Sequence, residues 1–484
     1  MRSGIEVVCC CFRKLRRMKM LKTCSQSSTR QGLFSQMKKT RTIVRRCCKC
    51  IDFRWIVGIL SCFVTVAQGQ VVTDTTFGPS VDFGNGDATI PASNGKISGP
   101  NLFHSFSTFN VNTGKTVEFT NGSGVSIENV ISRVTGGSAS TINGILKSTV
   151  GGSNFYFVNP AGVTFGANGS VDIPASFFVS TADRLEFVNG EDFVVSAINP
   201  ALSMFDPKEY GFQQPGQETV IVMGDLAVND GSNFTIVTRD LEVADGSIGI
   251  DSNRSNITVV ADGDVSVEST TGGGILAADE GGSITIDANG AVTVREGALI
   301  TSTSSGINSA GSISVNGTSF TLASDATLRA DRNDNTSTEG DFSGHVIAWS
   351  ETTGETNQDN GAVVVSGGDG VVTIAGEIDA SSGSDQVGGS VKISAEQINV
   401  QSTATITASG DTGGGVIEIG GGYQGASLGE GLRNAQDTRV AAGATISADA
   451  GSEGDGGRVV VWSEERTSYE GCLLYTSPSP RDRG

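Results

Sequence analysis

Residues 281–287 read Gly-Gly-Ser-Ile-Thr-Ile-Asp, and residues 388–394 repeat the pattern as Gly-Gly-Ser-Val-Lys-Ile-Ser. Apolar and polar side chains alternate in both stretches, which places the apolar ones on one face of an extended strand. Similar strands follow small-residue pairs at 310–315 and 413–419. Runs with helical spacing are nearly absent, so the body of the chain is predicted to be all-β.

Short strands separated by Gly, Asn and Asp turns fit two architectures, a right-handed parallel β-helix and a set of β-sandwiches. The β-helix is favoured because aromatic residues are only 6% of the chain and the inward positions hold small and branched side chains. A longer internal repeat agrees, since residues 344–351 and 457–464 share Gly, Val, Trp, Ser and Glu at the same offsets.

Regular alternation argues against disorder, except in the polar stretches 331–338 and 352–361, which are expected to be loops. The continuous apolar run 458–461 is expected to be a strand that is buried on both faces.

Charge divides the chain near residue 54. Residues 1–54 carry 15 basic and 2 acidic residues, which leaves 18 basic and 50 acidic residues, a net charge of −32, in the rest. Such an acidic body repels phosphate backbones, so no nucleic-acid partner is expected. Cysteines follow the same division, because all but Cys472 precede residue 63, as suits a body that crosses an oxidising compartment.

The amino-terminal segment has the features of an export signal. Residues 55–67 are apolar and follow several basic residues, which predicts a signal peptide over 37–69 with cleavage between Gly69 and Gln70. The apolar stretch is too short for a comfortable membrane span, which disfavours an anchor. Residues 1–36 are expected to be a non-native or extended basic leader. The candidate initiators are Met1, Met18, Met20 and Met37.

The carboxyl-terminal residues 472–484 lose the Gly/Val/Thr pattern and contain two prolines. They are interpreted as a read-through artefact, with a short disordered tail as the alternative. The natural chain is then expected to continue beyond Gly471.

Three segments near the amino terminus carry a family resemblance. Residues 101–109 read Asn-Leu-Phe-His-Ser-Phe-Ser-Thr-Phe, residues 131–137 read Ile-Ser-Arg-Val-Thr-Gly-Gly, and residues 159–166 read Asn-Pro-Ala-Gly-Val-Thr-Phe-Gly. Together they resemble the secretion domain of filamentous haemagglutinin-type exoproteins. The secretion-motif residues are Asn101, Leu102, Phe103, His104, Phe106, Phe109, Asn110, Ser132, Arg133, Gly136, Asn159, Pro160, Gly162, Phe165 and Gly166.

The resemblance extends over residues 70–187 and has one clear departure, Ala161, where the family usually has Asn. It implies that residues 70–200 form a β-helical domain with capping strands, which an outer-membrane transporter of the two-partner pathway recognises and threads outward. Residues 201–471 then form a Gly-rich β-solenoid shaft. Independently of the family, residues 159–162 predict a type I turn, with Pro160 at the second position and Gly162 at the fourth.

No catalytic, cofactor-binding or metal site is predicted. The only histidines are His104 and His345, far apart in sequence, and no spacing singles out a carboxylate pair. Residues 420–425 match Gly-x-Gly-x-x-Gly, but no helix is expected to follow, so no phosphate site is predicted. A single Gly-Gly-Asp-Gly at 367–370 is weak evidence for a calcium repeat.

The sequence therefore favours a non-catalytic, adhesin-like exoprotein that is secreted or displayed on the surface of a diderm bacterium. Its receptor or glycan is not specified by the sequence. The alternatives are a secreted β-helical polysaccharide-degrading enzyme, and a structural surface or matrix protein.

Overall fold

The computed structural model describes residues 70–213, 218–229, 231–250, 255–270, 275–279, 282–303, 311–330, 345–346, 362–367, 369–383, 386–429 and 432–474. Several predictions concern residues outside these ranges: the leader, the signal peptide up to Gly69, the loops 331–338 and 352–361, and the segment 475–484. Most of the first copy of the repeat, 344–351, also lies outside them.

The described residues form β-strands and two short 3-10 helices, with no α-helix among them. No helix in the described part of the chain is long and apolar enough to cross a membrane. The elements are β1 (Val71–Thr73), β2 (Ala88–Pro91), η1 (Ala92–Asn94), β3 (Lys96–Ser98), β4 (Asn101–Phe109), β5 (Thr116–Thr120), β6 (Asn129–Val134), β7 (Ser140–Ile142), β8 (Ile145–Ser148), β9 (Asn154–Val158), β10 (Val163–Phe165), β11 (Ser170–Asp172), β12 (Phe177–Ser180), β13 (Arg184–Phe187), β14 (Asp192–Val194), β15 (Pro207–Gly211), β16 (Thr219–Val222), β17 (Asp225–Leu226), β18 (Phe234–Thr238), β19 (Asp240–Ala244), β20 (Ser247–Ile250), β21 (Ile257–Ala261), β22 (Val265–Glu268), β23 (Ile275–Asp279), β24 (Ile284–Ala288), β25 (Ala291–Val294), β26 (Leu299–Thr303), β27 (Ser312–Asn316), β28 (Ser319–Leu322), β29 (Thr327–Arg329), β30 (His345–Val346), β31 (Ala362–Ser366), β32 (Val371–Ile374), β33 (Glu377–Asp379), β34 (Ser390–Ser394), β35 (Gln397–Val400), β36 (Thr405–Thr407), β37 (Val416–Ile419), η2 (Tyr423–Gly425), β38 (Asp437–Val440), β39 (Thr445–Ser447), β40 (Arg458–Val461), β41 (Arg466–Tyr469) and β42 (Cys472–Leu474).

The strands wind into a parallel β-helix, as predicted. Sheet 1 runs from β4 through β6, β9, β12 and β18 to β40, sheet 2 from β7 through β10 and β16 to β41, and sheet 3 from β17 through β20 to β42. One coil takes a strand from each sheet in turn, as β18, β19 and β20 do before β21 pairs in parallel with β18. In the first coils β2, β5, β8 and β11 form a separate sheet.

Inward side chains stack in columns along the β-helix. In one column Phe177, Phe234, Ile257, Ile284 and Ile313 occupy the same register on successive strands of sheet 1, and all are fully buried. Each side chain therefore packs on the one before and the one after, and burying it contributes roughly 1.5–3 kcal/mol. The alternation seen in the sequence is the signature of these columns.

The outward face of sheet 1 changes character along the β-helix. The first coils present Phe103, Ile131, Tyr156 and Phe178 at one register position, whereas the next coil presents Thr235 there. The apolar part of this face is covered by a second layer.

That second layer is a three-stranded antiparallel sheet made of β13, β14 and β15, here called the cap. Its Leu185, Phe187 and Phe193 form a separate buried cluster with Phe103 and Ile131 of the β-helix. Strands β1 and β3 also pair antiparallel with β4. The capping strands expected for the amino-terminal domain are thus present, and the cap spans the predicted domain boundary at residue 200.

The carboxyl-terminal coils differ from two expectations. Strand β40, residues 458–461, was expected to be buried on both faces, which is wrong: its side chains are partly or fully exposed because it is the last described strand of sheet 1 and only β37 packs beside it. Strand β42 pairs in parallel register with β39, so the coil pattern reaches Leu474 and passes the predicted boundary at Gly471. The origin of residues 472–484 stays a prediction.

Candidate functional site

The secretion-motif residues come together in the first coils, and most of them are buried. They lie on β4, β6 and β10, and in the turns that follow β4, β6, β9 and β10. Asn110 and Pro160 are partly exposed and Gly136 is exposed, while the remaining motif residues are buried. In the folded chain these side chains therefore build the domain rather than present a contact surface.

A ladder of asparagines joins the first three coils. Asn101, Asn129 and Asn154 begin β4, β6 and β9 in register, and each of the last two donates a side-chain hydrogen bond to the one before, at 2.9 and 3.1 Å. Asn101 in turn donates to the backbone oxygens of Ser203 and Phe205, at 3.0 and 2.7 Å. The ladder therefore fixes the loop that leads into β15 of the cap. Only Asn101 was singled out from sequence, although an Asn before an apolar pair at three strand starts was a usable signal.

Arg133 is the second link between the β-helix and the cap. Its side chain is fully buried, and its Nη1 donates to the carbonyl oxygens of Val194 and Val195, both at 2.9 Å. Nε donates to Ser105 Oγ at 2.8 Å, and Nη2 donates to Thr76 Oγ1 at 3.0 Å. These bonds satisfy a guanidinium that would be costly to bury without partners.

Asp74 carries the charge opposite to that of Arg133, and the Ser105 hydroxyl links the two side chains. Ser105 and Thr135 donate to its Oδ2 at 2.6 and 2.9 Å, and the Thr76 amide donates to Oδ1 at 2.8 Å. Burial raises the pKa of Asp74, but these hydrogen bonds outweigh it and hold the pKa below its ordinary value. Burial lowers the pKa of Arg133, and the Asp74 charge opposes that shift. The guanidinium also lies 5.1 Å from the ring centroid of Phe193, a cation–π contact with the cap.

His104 occupies an inner column beside Ser132, its register partner on β6. Both side chains are fully buried, and neither imidazole nitrogen nor the Ser132 hydroxyl has a hydrogen-bond partner of good geometry. Burial lowers the pKa of His104 to about 3, against a smaller opposing effect of the Asn94 backbone. The His104 ring packs edge-on against Phe119 at 5.2 Å. A neutral, enclosed imidazole cannot reach a substrate, so this Ser–His pair is a packing feature.

The predicted turn at 159–162 is present and tied into neighbouring coils. The Gly162 amide donates to the Asn159 carbonyl at 3.0 Å, and Asn159 Oδ1 accepts the Ala161 amide at 3.0 Å. The buried Asn159 side chain also donates to Ser138 O and Ser140 Oγ, both at 3.0 Å. Gly162 has a φ of +106°, where a side chain is strained. Ala161 makes its contact through the backbone, so its departure from the family pattern leaves the turn intact.

The remaining motif residues set the corners of the coils. Asn110 Oδ1 accepts a hydrogen bond from the Thr141 backbone amide at 2.8 Å, and the Asn110 backbone amide donates to the carbonyl oxygen of Gln70 at 2.9 Å. A Cβ on Gly136 would overlap the carbonyl oxygen of Ser107. Glycine is therefore required there by the close approach of two backbones.

The loops of the cap expose a group of large apolar side chains. Among the described residues, the five most exposed large apolar side chains include Ile198, Met204, Val188 and Phe205, at 85%, 59%, 58% and 46%. All four lie on the loops of the cap, and the asparagine ladder holds the Phe205 backbone. This group is called the cap patch below. An apolar group concentrated on one element is typical of an interaction surface.

The described residues include no group of His, Cys, Asp or Glu that could hold a metal ion. The glycine segment 420–425 contains the short 3-10 helix η2, and no helix follows it among the described residues, so it offers no helix N-terminus to a phosphate. These observations define a class of protein: a β-helical domain whose first coils are covered by a cap, which buried polar networks hold in place.

Comparisons with known proteins identify the family. The sequence model described as TPS secretion domain, for two-partner secretion, matches residues 66–315. The chain belongs to this family of two-partner secretion exoproteins. A TPS domain interacts with an outer-membrane transporter and is secreted across the outer membrane.

Among solved structures, the chain is similar to the crystal structure of the HMW1 secretion domain from Haemophilus influenzae. The identity is 16%, with 79% of this chain and 96% of that chain covered and a TM-score of 0.45. No curated protein matches the chain significantly.

Proposed function

We propose that this chain is an adhesin-like exoprotein, displayed on the bacterial surface or released, and that it is not an enzyme. The cap, held by Asn101 and Arg133, carries the surface that the transporter recognises. The β-helix beyond the cap serves as a shaft.

The observation that carries the transporter role is the division between buried and exposed groups. The motif side chains hold the cap in place but are mostly buried, whereas Met204 and Phe205 are exposed next to backbone groups that Asn101 fixes. A partner that reads the folded domain would therefore contact the cap patch. The motif residues would act by positioning it.

Two observations support a non-catalytic role. His104 is enclosed and neutral, and its column partner Ser132 is equally inaccessible. Asp287, an exposed outward carboxyl on β24, accepts a hydrogen bond from Asn316 at 2.6 Å and has no second carboxylate opposite it in register, where its neighbours are Val260 and Asn316. Neither arrangement supplies the acid and base of a glycosidase.

Release of the chain from cells that express the transporter tests the cap patch. Met204→Ser with Phe205→Ser keeps the backbone bonds and removes exposed apolar surface, and we expect at least a tenfold drop in released protein. The matched control, Val260→Ser with Val387→Ser, removes two side chains of 39% and 40% exposure elsewhere. Equal release of both variants, with unchanged thermal unfolding, would show that the cap patch is not read by the transporter.

The motif turn is tested in the same assay. Asn159→Ala with Gly162→Val removes the side-chain bonds to Ser138 and Ser140 and strains the turn, so release is expected to collapse. Unchanged release would exclude a role for this turn in export.

The adhesive role is tested by binding of the purified chain to host cells and to surfaces. Incubation with a polysaccharide panel, followed through reducing ends and unsaturated products, tests the enzymatic alternative. Concentration-dependent self-association would favour the matrix role.

A further inference from the structure

The outer face of sheet 2 carries a polar cleft of about 380 Å³ on its last three described strands, β35, β38 and β41. Two rows of outward side chains cross these strands in register. One row is Gln397, Asp437 and Arg466, and the other is Asn399, Arg439 and Ser468. Neighbouring groups in a row are separated by the spacing of paired strands, about 4.8 Å.

Charge pairing inside the cleft is incomplete. Arg466 Nε is paired with Asp437 Oδ1 at 3.0 Å, whereas the exposed Arg439 side chain makes no ion pair or hydrogen bond with any described residue. Its register neighbours Asn399 and Ser468 are uncharged, and Glu470, which also lines the cleft, makes no ion pair with it.

Arg439 is exceptional in this acidic body. Among the described residues after position 200, every other Lys or Arg has a carboxylate or carbonyl partner, as Arg239 has in Glu218 and Arg458 has in Glu418. An unneutralised guanidinium at the middle strand of a cleft is suited to an anionic group. Its planar fork matches a carboxylate or a sulfate.

The other side chains of the cleft indicate the chemistry of the remaining part of the ligand. The amides of Gln397 and Asn399 and the hydroxyl of Ser468 can both donate and accept, as ligands rich in hydroxyl groups require. No aromatic or broad apolar wall lines the cleft, which disfavours an apolar ligand. The acidity of the chain disfavours nucleic acid.

We propose that this cleft binds an acidic saccharide, with Arg439 holding its carboxylate or sulfate and the two amides and Ser468 holding ring hydroxyls. This deepens the adhesive role proposed above and rests on it. The cleft is far along the β-helix from the cap patch, so the proposal does not depend on transporter recognition.

Isothermal titration of the purified full chain tests the cleft with three probes: polygalacturonate, dextran sulfate and neutral dextran. We expect binding of at least one of the polyanions, weaker binding as salt is raised, and no binding of neutral dextran. Preference between the two polyanions distinguishes carboxylate from sulfate recognition.

Variants locate the site. Arg439→Gln is expected to raise Kd at least tenfold, and Arg439→Lys to recover only part of the loss, because the ammonium cannot make the paired hydrogen bonds. The matched control is Arg295→Gln, which removes an exposed guanidinium paired with Glu268. Its Kd is expected to equal that of the unaltered chain.

Three results would overturn the proposal: no binding of either polyanion, an unchanged Kd for Arg439→Gln, or an equal loss in Arg295→Gln, which indicates diffuse charge attraction. If the Arg439→Gln chain loses no saccharide affinity but all chains still bind cells, the cleft is excluded while the adhesive function stands. If saccharide binding is lost and cell binding is retained, the cleft is confirmed and adhesion uses another surface.

Discussion

Replacing His104 by Leu should make the amino-terminal coils more resistant to acid. His104 is fully buried in an inner column, its imidazole nitrogens have no hydrogen-bond partner of good geometry, and burial lowers its pKa from 6.5 to about 3. The folded chain therefore holds the imidazole neutral at pH values where the unfolded chain protonates it.

The sign and size of the effect follow from this difference. The stability that the neutral imidazole contributes is fully present above pH 6.5, and it is lost as the pH falls from 6.5 towards 3. Each pH unit within this window costs about 1.4 kcal/mol, so the free energy of unfolding drops by roughly 3 kcal/mol between pH 7.5 and pH 4 through this residue alone.

His104→Leu removes this titration and two buried nitrogens that have no hydrogen-bond partner of good geometry, so the variant should be more stable by about 1 kcal/mol at pH 7.5. The stability difference between variant and unaltered chain should then grow by roughly 3 kcal/mol at pH 4. Urea unfolding at both pH values measures it, followed by the near-ultraviolet circular dichroism of Tyr156 and Tyr210, which lie against the same coils.

Ser132→Val is the control, because it changes the neighbouring position of the same column without removing a titrating group. Its stability difference from the unaltered chain should be independent of pH. If the His104→Leu difference is also the same at pH 7.5 and pH 4, then His104 is not held neutral by burial and the reasoning is wrong.

Two further changes test the packing of the first coils. Arg133→Met keeps the apolar stem but leaves the Val194 and Val195 carbonyls unpaired, so unfolding should require about 3–5 kcal/mol less, measured by urea titration; a loss below 1 kcal/mol would contradict the network. Gly136→Ala should lower the thermal midpoint because its Cβ overlaps the Ser107 carbonyl, at a cost of about 1–3 kcal/mol, whereas Gly86→Ala, with open space around its Cβ, should not. Equal midpoints for the two glycine variants would exclude the close approach.

The strands of the shaft were predictable because their signal is local. Alternation in Ser-Ile-Thr-Ile-Asp at 283–287 places Ile284 and Ile286 inward, and both are fully buried in the columns of sheet 1. Period-two alternation with one solvated face needs no knowledge of distant segments.

A continuous apolar run predicts a strand but does not show whether its outer face is covered, because it lacks the alternation that marks a solvated face. In β6 the run is buried on both faces because the cap covers its outer face, whereas in β40 even the inward Val459 and Val461 are only partly buried, because β37 is its one neighbouring strand in the described part of sheet 1. Whether a second layer exists depends on β13 to β15, which lie far from both runs in sequence. The strand could be predicted, but its outer environment could not.

The site shows the same limit. Arg133 was recognised through its motif, yet its partners Thr76 and Val194 lie 57 and 61 residues away in sequence. Asp74, which carries the compensating charge, lies outside every quoted motif. A family motif identifies such a residue, but only the three-dimensional structure shows that its side chain attaches the cap to the β-helix.

Buried polar groups in the first coils also solve a problem of register. Coils with Val or Ile at every inner position are nearly interchangeable, so apolar columns stabilise the stack without distinguishing one coil from the next. Moving Asn101 by one coil would leave the carbonyls of Ser203 and Phe205 without their donor, at about 1–3 kcal/mol each. The same slip would separate Arg133 from the cap. The polar networks thus define which coil is first, and the later apolar coils can add to it in a fixed order.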